Sequence, residues 1–558
     1  MEKRYTIGLD YGSLSCRGVL ACTEDGSIEA EEEFPYPHGV FYDALPDGTP
    51  LPPLWALQHP QDYVDAFRHI IPALVKGSGV RPEAVIGLCI DTTASTVVAV
   101  DRDLTPLCMT ERYAGRPHAW VKMWKHHAAC REAEEITRAA RALPALERYG
   151  GAVGAEFLLP KLLQTLREDP EVFAAAESFF EYGDWMTSLL TGREVRSGTY
   201  LTCKSMWDPH TGYPAAFRRL TEKLAFHSGA RPVIAWPGQS VGTLDPSMAK
   251  ALGLSPDTAV SAPQLDGYAG LPGSGVAGEG ALAMMLGTSN SYMLLGREAR
   301  RVPGICAAVQ DSILPGFTGY AAGQASAGDI FKWFTENCVP AACTQAAEAQ
   351  GMSLHGYLTR LAGRRRPGES GLIALDWWNG NKSVLNNSGL SGLFLGMTLA
   401  TRPEDLYRAL IEATAFGARR IAEAFRQAGV GISRAIASGG MAMKNPLLMQ
   451  IYADVLNMPI AISPCGQTAA LGSAMYAAAA AGKAAGGHAS VADAVRAMGR
   501  QSILGYQPDE ASSRVYDQLY GEYLALHDYF GRGGNRVMER LRDCRLSMAR
   551  YDEPIFPI

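Results

Sequence analysis

A chain of 558 residues exceeds the size at which one hydrophobic core keeps growing, so at least two domains are expected, and 47% hydrophobic with 19% charged residues excludes a disordered or fibrous protein. A formal net charge of −6 without a long basic run leaves nothing to neutralise a nucleic-acid backbone or to hold an anionic membrane surface, so neither is an expected partner. Eleven scattered cysteines, odd in number and without C-x-x-C pairs, suit reduced thiols in a cytoplasm, and the short apolar run after Met1-Glu2-Lys3-Arg4, broken by Asp10, does not suit an export signal.

In chain order, Tyr5 to Leu9 reads as a buried strand, followed by a polar glycine turn from Asp10 to Ser13 and a second strand, Gly18 to Ala21. A helix is expected over Gln61 to Val75, a strand over Ala84 to Ile90 and a second helix over Pro117 to Arg141. The adjacent His126 and His127 do not share a helix face and have no third ligand at metal-binding spacing, so a solvated pair is expected. Between Leu271 and Gly280 the run Leu-Pro-Gly-Ser-Gly-Val-Ala-Gly-Glu-Gly is rich in breakers, which puts a flexible junction near residue 275 and domains at 1–275 and 276–558. Directly after it the opening pattern returns: an apolar strand, Ala281 to Leu286, a turn Gly287-Thr288-Ser289-Asn290, and a strand, Tyr292 to Leu295. Such coarse self-similarity argues for a duplicated α/β domain rather than a solenoid. Helices follow over Gly328 to Asn337, Pro403 to Ala428, Pro446 to Leu456 and Glu510 to Tyr529, with a strand at Arg434 to Ser438; the alanine-rich stretch Ala474 to Ala481 is far short of a membrane span.

Gly273-Ser274-Gly275-Val276-Ala277-Gly278 fits G-x-G-x-x-G but precedes a strand instead of opening a helix, so it is not a dinucleotide fingerprint, and no P-loop occurs. The segment from Asp10 to Arg17 is a stronger candidate. Gly12 lets backbone N–H groups approach phosphates, Ser13, Ser15 and Arg17 supply donors, and Asp10 suits a magnesium ion held through water; an ordinary Asx-Gly hairpin turn is the bland alternative. Gly287, Thr288 and Ser289 at the second hairpin tip form a matching turn, and two such turns clasp a triphosphate from opposite domains. Gly439 and Gly440 offer flat backbone to an adenine ring, with Asn445 opening the next helix; a capped strand-to-helix loop would use the same residues. Asp266 stands alone before the junction and by default is a turn aspartate.

Taken in order, these elements resemble the FGGY carbohydrate kinases. Trp55-Ala-Leu-Gln-His-Pro60, Trp120 to His127, Gly323-Gln324 with Gly328 to Phe331, Leu375 to Gly380, Glu412 to Gly417 and His527 to Gly531 carry the resemblance across almost the whole chain. It implies an α/β protein of two ribonuclease-H-like, actin-like ATPase domains that close on ATP and a sugar. It assigns Asp266 as catalytic base, Asp10, Gly12, Ser13, Ser15, Arg17 and Gly287-Thr288-Ser289 to the phosphates, Gly439, Gly440 and Asn445 to adenosine, and Ala94, Trp124, Lys204 and Asp266 to the sugar. Mg-ATP as phosphoryl donor, L-ribulose phosphorylated at its 5-hydroxyl in arabinose catabolism, and a cytoplasmic homodimer are the further implications. Three departures bear on the sugar. Members acting on L-ribulose carry a glutamate where Ala321 stands and tend to carry histidine where Tyr268 stands, and their Ser-Ser-Glu-Trp appears here as Gly154-Ala155-Glu156-Phe157. D-ribulose, a xylulose or a pentitol such as ribitol is therefore an alternative substrate, and a catalytically silent sugar-binding protein is an alternative of another class.

Overall fold

The computed structural model describes residues 3–224, 233–500 and 503–548. Two seven-stranded sheets dominate it. The first runs in the order Ser240–Thr243, Ala259–Ser261, Val85–Thr92, Tyr5–Tyr11, Ser15–Cys22, Ile28–Pro35, with the short Gln264–Leu265 also paired to Val85–Thr92. The second runs Ala307–Gln310, Thr318–Gln324, Asn290–Gly296, Gly280–Leu286, Ile432–Ser438, Ile460–Ile462, Ile503–Tyr506. One unit recurs in both: an antiparallel hairpin whose first strand pairs in parallel with a strand from far downstream.

Tyr5–Tyr11 has no polar face because both of its faces are covered. Ile7 and Leu9 share a core with Phe67, Ile70 and Leu74 of the helix Pro60–Ser78. On the other face Thr6 Oγ1 donates to the Ala474 carbonyl, and Gly8 lets the helix Thr468–Ala481 approach so closely that any Cβ there would overlap the Ala470 carbonyl. That helix is the alanine-rich stretch of the sequence. Small residues fill the space between the two sheets, where Ala470, Ala474 and Ala477 share one core with Val19 and Cys89 of the first sheet and Ala281, Ala283 and Met293 of the second. Among the described residues no helix is long and apolar enough to cross a membrane.

Three local expectations are corrected. Pro117 to Arg141 is not one helix: Pro117–Ala119 is a 3₁₀ turn, Val121–Lys122 a strand, and only Cys130–Ala139 is α-helical. Pairing of Val121–Lys122 on both sides, with Leu57–Gln58 and with Val97, overrides the local helical preference. His126 is not solvated; it is buried, accepting from the Ala56 N–H and bonded to Gln164 Oε1 at 2.9 Å, with its ring 4.8 Å from that of Trp55. The breaker-rich run is not flexible at its start, because Leu271, Pro272 and Gly273 close the helix Asp266–Gly273, which is buried from Tyr268 onward.

Candidate active site

In both sheets the candidate turns leave the same edge as their parallel neighbour, the place where open α/β sheets present ligand sites. Asp10 lies opposite Asp91 in the parallel register, so the Asp10–Ser13 turn and the Thr92–Thr96 segment emerge together. Met285 lies opposite Ser438, so Gly287–Ser289 and Gly439–Gly440 also emerge together. Gly439, at φ 92°, packs directly on the Leu286 carbonyl just before the second turn. Gln264 and Leu265 pair with Asp91 and Thr92 and deliver Asp266 beside them, as the first residue of its helix.

Asp266 is half-buried and accepts at 2.6 Å from the Gly267 N–H. Burial, then the charge of Asp10, push its carboxyl up to about 7, against the Gly267 N–H, Lys382 and Lys204. Asp91 is fully buried; Ser473 on the helix Thr468–Ala481 donates to its Oδ2 at 2.6 Å, and its Oδ1 has no partner among the described residues. Burial, then Asp10, drive the Asp91 carboxyl well above the ordinary range. The half-buried carboxylate of Asp10 is an oxygen donor of the kind a hard divalent cation takes.

The remaining phosphate candidates are held by partners that the motif did not name. Arg17 lies in the strand Ser15–Cys22 rather than in a turn, 3.0 Å from Glu33, which also accepts from Ser15 Oγ at 2.7 Å. Ser13 Oγ accepts from Trp124 Nε1 at 2.9 Å, and the Ser13 carbonyl accepts from Gln58 Nε2 at 2.8 Å, which ties a sugar candidate to a phosphate candidate. In the second turn, the Gly287 and Thr288 carbonyls accept from the Gly328 and Ala327 N–H groups at 3.0 and 2.9 Å. Asn445 Oδ1 caps the helix Pro446–Leu456 by accepting from the Leu448 N–H at 3.0 Å.

On the sugar side, Lys204 is buried with its ammonium 4.2 Å from the centroid of the Phe157 ring. Ala94 precedes Ser95, a non-glycine residue at φ 58°. Buried Lys161 explains how that conformation is held: its Nζ donates to the carbonyls of Ser95 at 2.5 Å, Met123 at 2.8 Å and Lys122 at 3.3 Å, joining the Ala94 segment to the one that carries Trp124. Glu181 accepts from the Thr96 N–H at 3.1 Å. Burial depresses Lys161 to about 7 against the pull of Glu181, and raises Glu181 to about 7 against Lys161. Tyr268 is buried, its hydroxyl 3.5 Å from Cys203 Sγ, and Ala321 belongs to the same buried cluster. Sequence reasoning passed over Asp91, although Leu88-Cys-Ile-Asp91 ends an apolar strand in aspartate just as Asp10 does. Ser473, Glu33 and Lys161 carry no such signal.

Residues 282–481 match the family described as the FGGY family of carbohydrate kinases, C-terminal domain. The chain is 46% identical over 550 residues to a ribulokinase of Shouchella clausii, covering 97% of this chain and 98% of that protein. It is 46% identical over 562 residues to a ribulokinase of Anoxybacillus flavithermus, with 100% of both covered. Among solved structures, a xylulose kinase from Rhodospirillum rubrum superimposes with a TM-score of 0.75 at 24% identity, covering 94% of this chain and 98% of that one. A gluconate kinase from Lactobacillus acidophilus gives 0.76 at 19% identity, covering 95% and 99%. At such identities the structural likeness speaks for the two-domain, actin-like fold alone.

Proposed function

The chain belongs to the FGGY family of carbohydrate kinases and so acts on ATP and a sugar, and from that premise we propose that it is the kinase that phosphorylates L-ribulose at its 5-hydroxyl. The observation that carries this reading is the 46% identity to ribulokinases along the whole chain. We read residues 1–275 as the sugar-binding domain with the first phosphate turn and 276–558 as the ATP-binding domain, the active unit being a homodimer.

In this reading Asp266 accepts the proton of the attacking hydroxyl. The pressure of Asp10 and of burial makes it a better base than a solvated aspartate at neutral pH. The transition state of phosphoryl transfer is loose, so most of the acceleration comes from positioning and charge neutralisation. That work falls to the donors of the Asp10–Arg17 segment and of Gly287–Ser289, with Gly439, Gly440 and Asn445 beside the adenosine. Asp10 is the residue that would hold Mg²⁺ through water, and the ion when bound would neutralise phosphate charge. Ala94, Trp124 and Lys204 take the sugar: a backbone group, an aromatic wall and a cation suit a ketopentose. Closure of the two halves excludes water and prevents hydrolysis of ATP.

Release of ADP, coupled to a reporter enzyme and screened over ketopentoses and pentitols, tests the reading. L-ribulose is expected to give the highest kcat/KM. Ala321 and Tyr268 favour one specific second reading, the same chemistry on D-ribulose, a xylulose or ribitol, and a higher kcat/KM for one of those would establish it in place of the first.

A further inference from the structure

Lys382 is a cation that the assignments above leave unused. It follows the segment Leu375 to Gly380, and its loop is fixed: Ser383 Oγ accepts from the Gly323 N–H at 3.1 Å and lies 3.4 Å from Cys306 Sγ. The lysine stem runs along the face of the strand Thr318–Gln324 at Gly323, where a Cβ would meet its Cδ at 3.6 Å and its Cε at 3.9 Å. Gly323 is the register partner of Ser291, and Ser291 and Met293 lie against Gly267, the residue after Asp266. Lys382 therefore stands on the wall that the second half presents to Asp266.

Its side chain is exposed, and among the described residues its ammonium makes no hydrogen bond or ion pair. Desolvation by the neighbouring protein works against its charge, but Cys306, Glu156 and Asp266 outweigh this and hold its pKa above the ordinary lysine value. Glu156, contributed by the first half, precedes Phe157, whose ring centroid lies 4.2 Å from the Lys204 ammonium, and it shows the reciprocal effect. Enclosure works to raise its carboxyl, and Lys382, Lys204 and His127 together hold it below the ordinary glutamate value. Ala321, two residues from Gly323 and so on the same strand face, places no acid beside the ammonium. Lys382, with only donors, and Glu156, with only acceptors, thus come from opposite halves, and among the described residues neither side chain has another side chain as a hydrogen-bond or ion-pair partner.

We propose that Lys382 and Glu156 are specificity-determining residues that grip neighbouring oxygens of the sugar, one as donor and one as acceptor. The assignment rests on the sugar-kinase reading above. It explains how the site retains directed recognition with alanine at 321, and it makes the sugar a bridge between the halves. An epimer that misplaces one of these hydroxyls leaves a charged group unmatched and is discriminated against.

Steady-state kinetics of the full chain and of Lys382→Met, Lys382→Arg and Glu156→Gln, with the sugar and ATP varied separately, test it. Loss of a hydrogen bond to a charged group should raise the sugar KM about 10- to 100-fold in Lys382→Met and in Glu156→Gln, leaving the ATP KM within about twofold. Lys382→Arg should recover most of the loss, and the preference between epimers should narrow in both disruptive variants. An unchanged sugar KM overturns the assignment, as does a raised ATP KM with the sugar KM unaltered, which would make Lys382 a phosphate ligand. Should the wild type release no ADP with any sugar, the kinase reading fails on its own. Calorimetric titration of L-ribulose and ribitol, without ATP, into wild type and Lys382→Met then decides the assignment: weaker binding to the variant supports it, and equal heats overturn it.

Discussion

Asp266 illustrates how one residue acquires a task from its surroundings. In the sequence it is a lone carboxylate before a glycine-rich run; in the fold it starts a helix, beside the ends of two strands that each carry aspartate at the last position but one. Asp266→Asn keeps the shape and removes the base, so kcat should fall about 10²- to 10⁴-fold while circular dichroism is unchanged. The sign of the stability effect separates this from structural damage. A carboxyl raised to about 7 in the fold favours folding while protonated, and that contribution fades as pH rises from the unfolded value through 7. At pH 8 the asparagine variant should therefore melt at or above the wild-type temperature. The active species is the deprotonated one, so kcat/KM for the sugar should drop about tenfold per pH unit below about 7, and the residual rate of Asp266→Asn should lack that limb. A melting temperature well below wild type, or a retained limb, removes Asp266 from the role.

At the scale of elements, the sequence showed strands and turns well where they obey local rules. Both hairpins, the helix Gly328–Asn337 and the helix Pro446–Leu456 with its Asn445 cap are legible because glycine, proline and capping residues punctuate apolar runs. Trp120 to Ala129 was not, because its strand pairs with residues some sixty positions earlier. The turn after Ile432–Ser438 offers a clean test of the adenosine assignment. Gly439 has a positive φ, and a side chain would overlap the Leu286 carbonyl. Gly439→Ala should cost about 1–3 kcal/mol in thermal unfolding and raise the ATP KM several-fold, because the two turns must shift relative to one another. Destabilisation with an unaltered ATP KM would leave the glycine structural and detach the turn from the nucleotide.

For the molecule as a whole, the decisive element is the helix Thr468–Ala481, late in the chain yet wedged between the two sheets. Gly472 abuts Ala269 and Gly273 abuts Thr468, backbone on backbone, so the helix bearing Asp266 and the helix bearing Ser473 are packed at the smallest separation that glycine allows. Gly472→Ala should force them apart, lowering stability by about 1–3 kcal/mol or more and reducing kcat, because the Ser473 contact to Asp91 opens. Gly466→Ala, where a Cβ meets nothing within 4 Å, should be neutral in both measurements and is the control.

The sequence by itself determined the family, the α/β class, the recurrence of the strand-turn-strand unit and the order of candidate phosphate and base residues, all of which are written in short contiguous stretches. The tertiary structure alone decided that Asp10, Asp91 and Asp266 converge, that Ser473 reaches Asp91 across 382 positions, that Lys161 holds two sugar-side segments, and that the Lys382 stem lies along Gly323. It also decided that His126 is buried and that the apparent linker begins as the last turn of a packed helix. The reason is physical. A turn or a cap is fixed by the residues that form it, whereas the burial of a charge and the identity of its partner depend on which distant elements share its space.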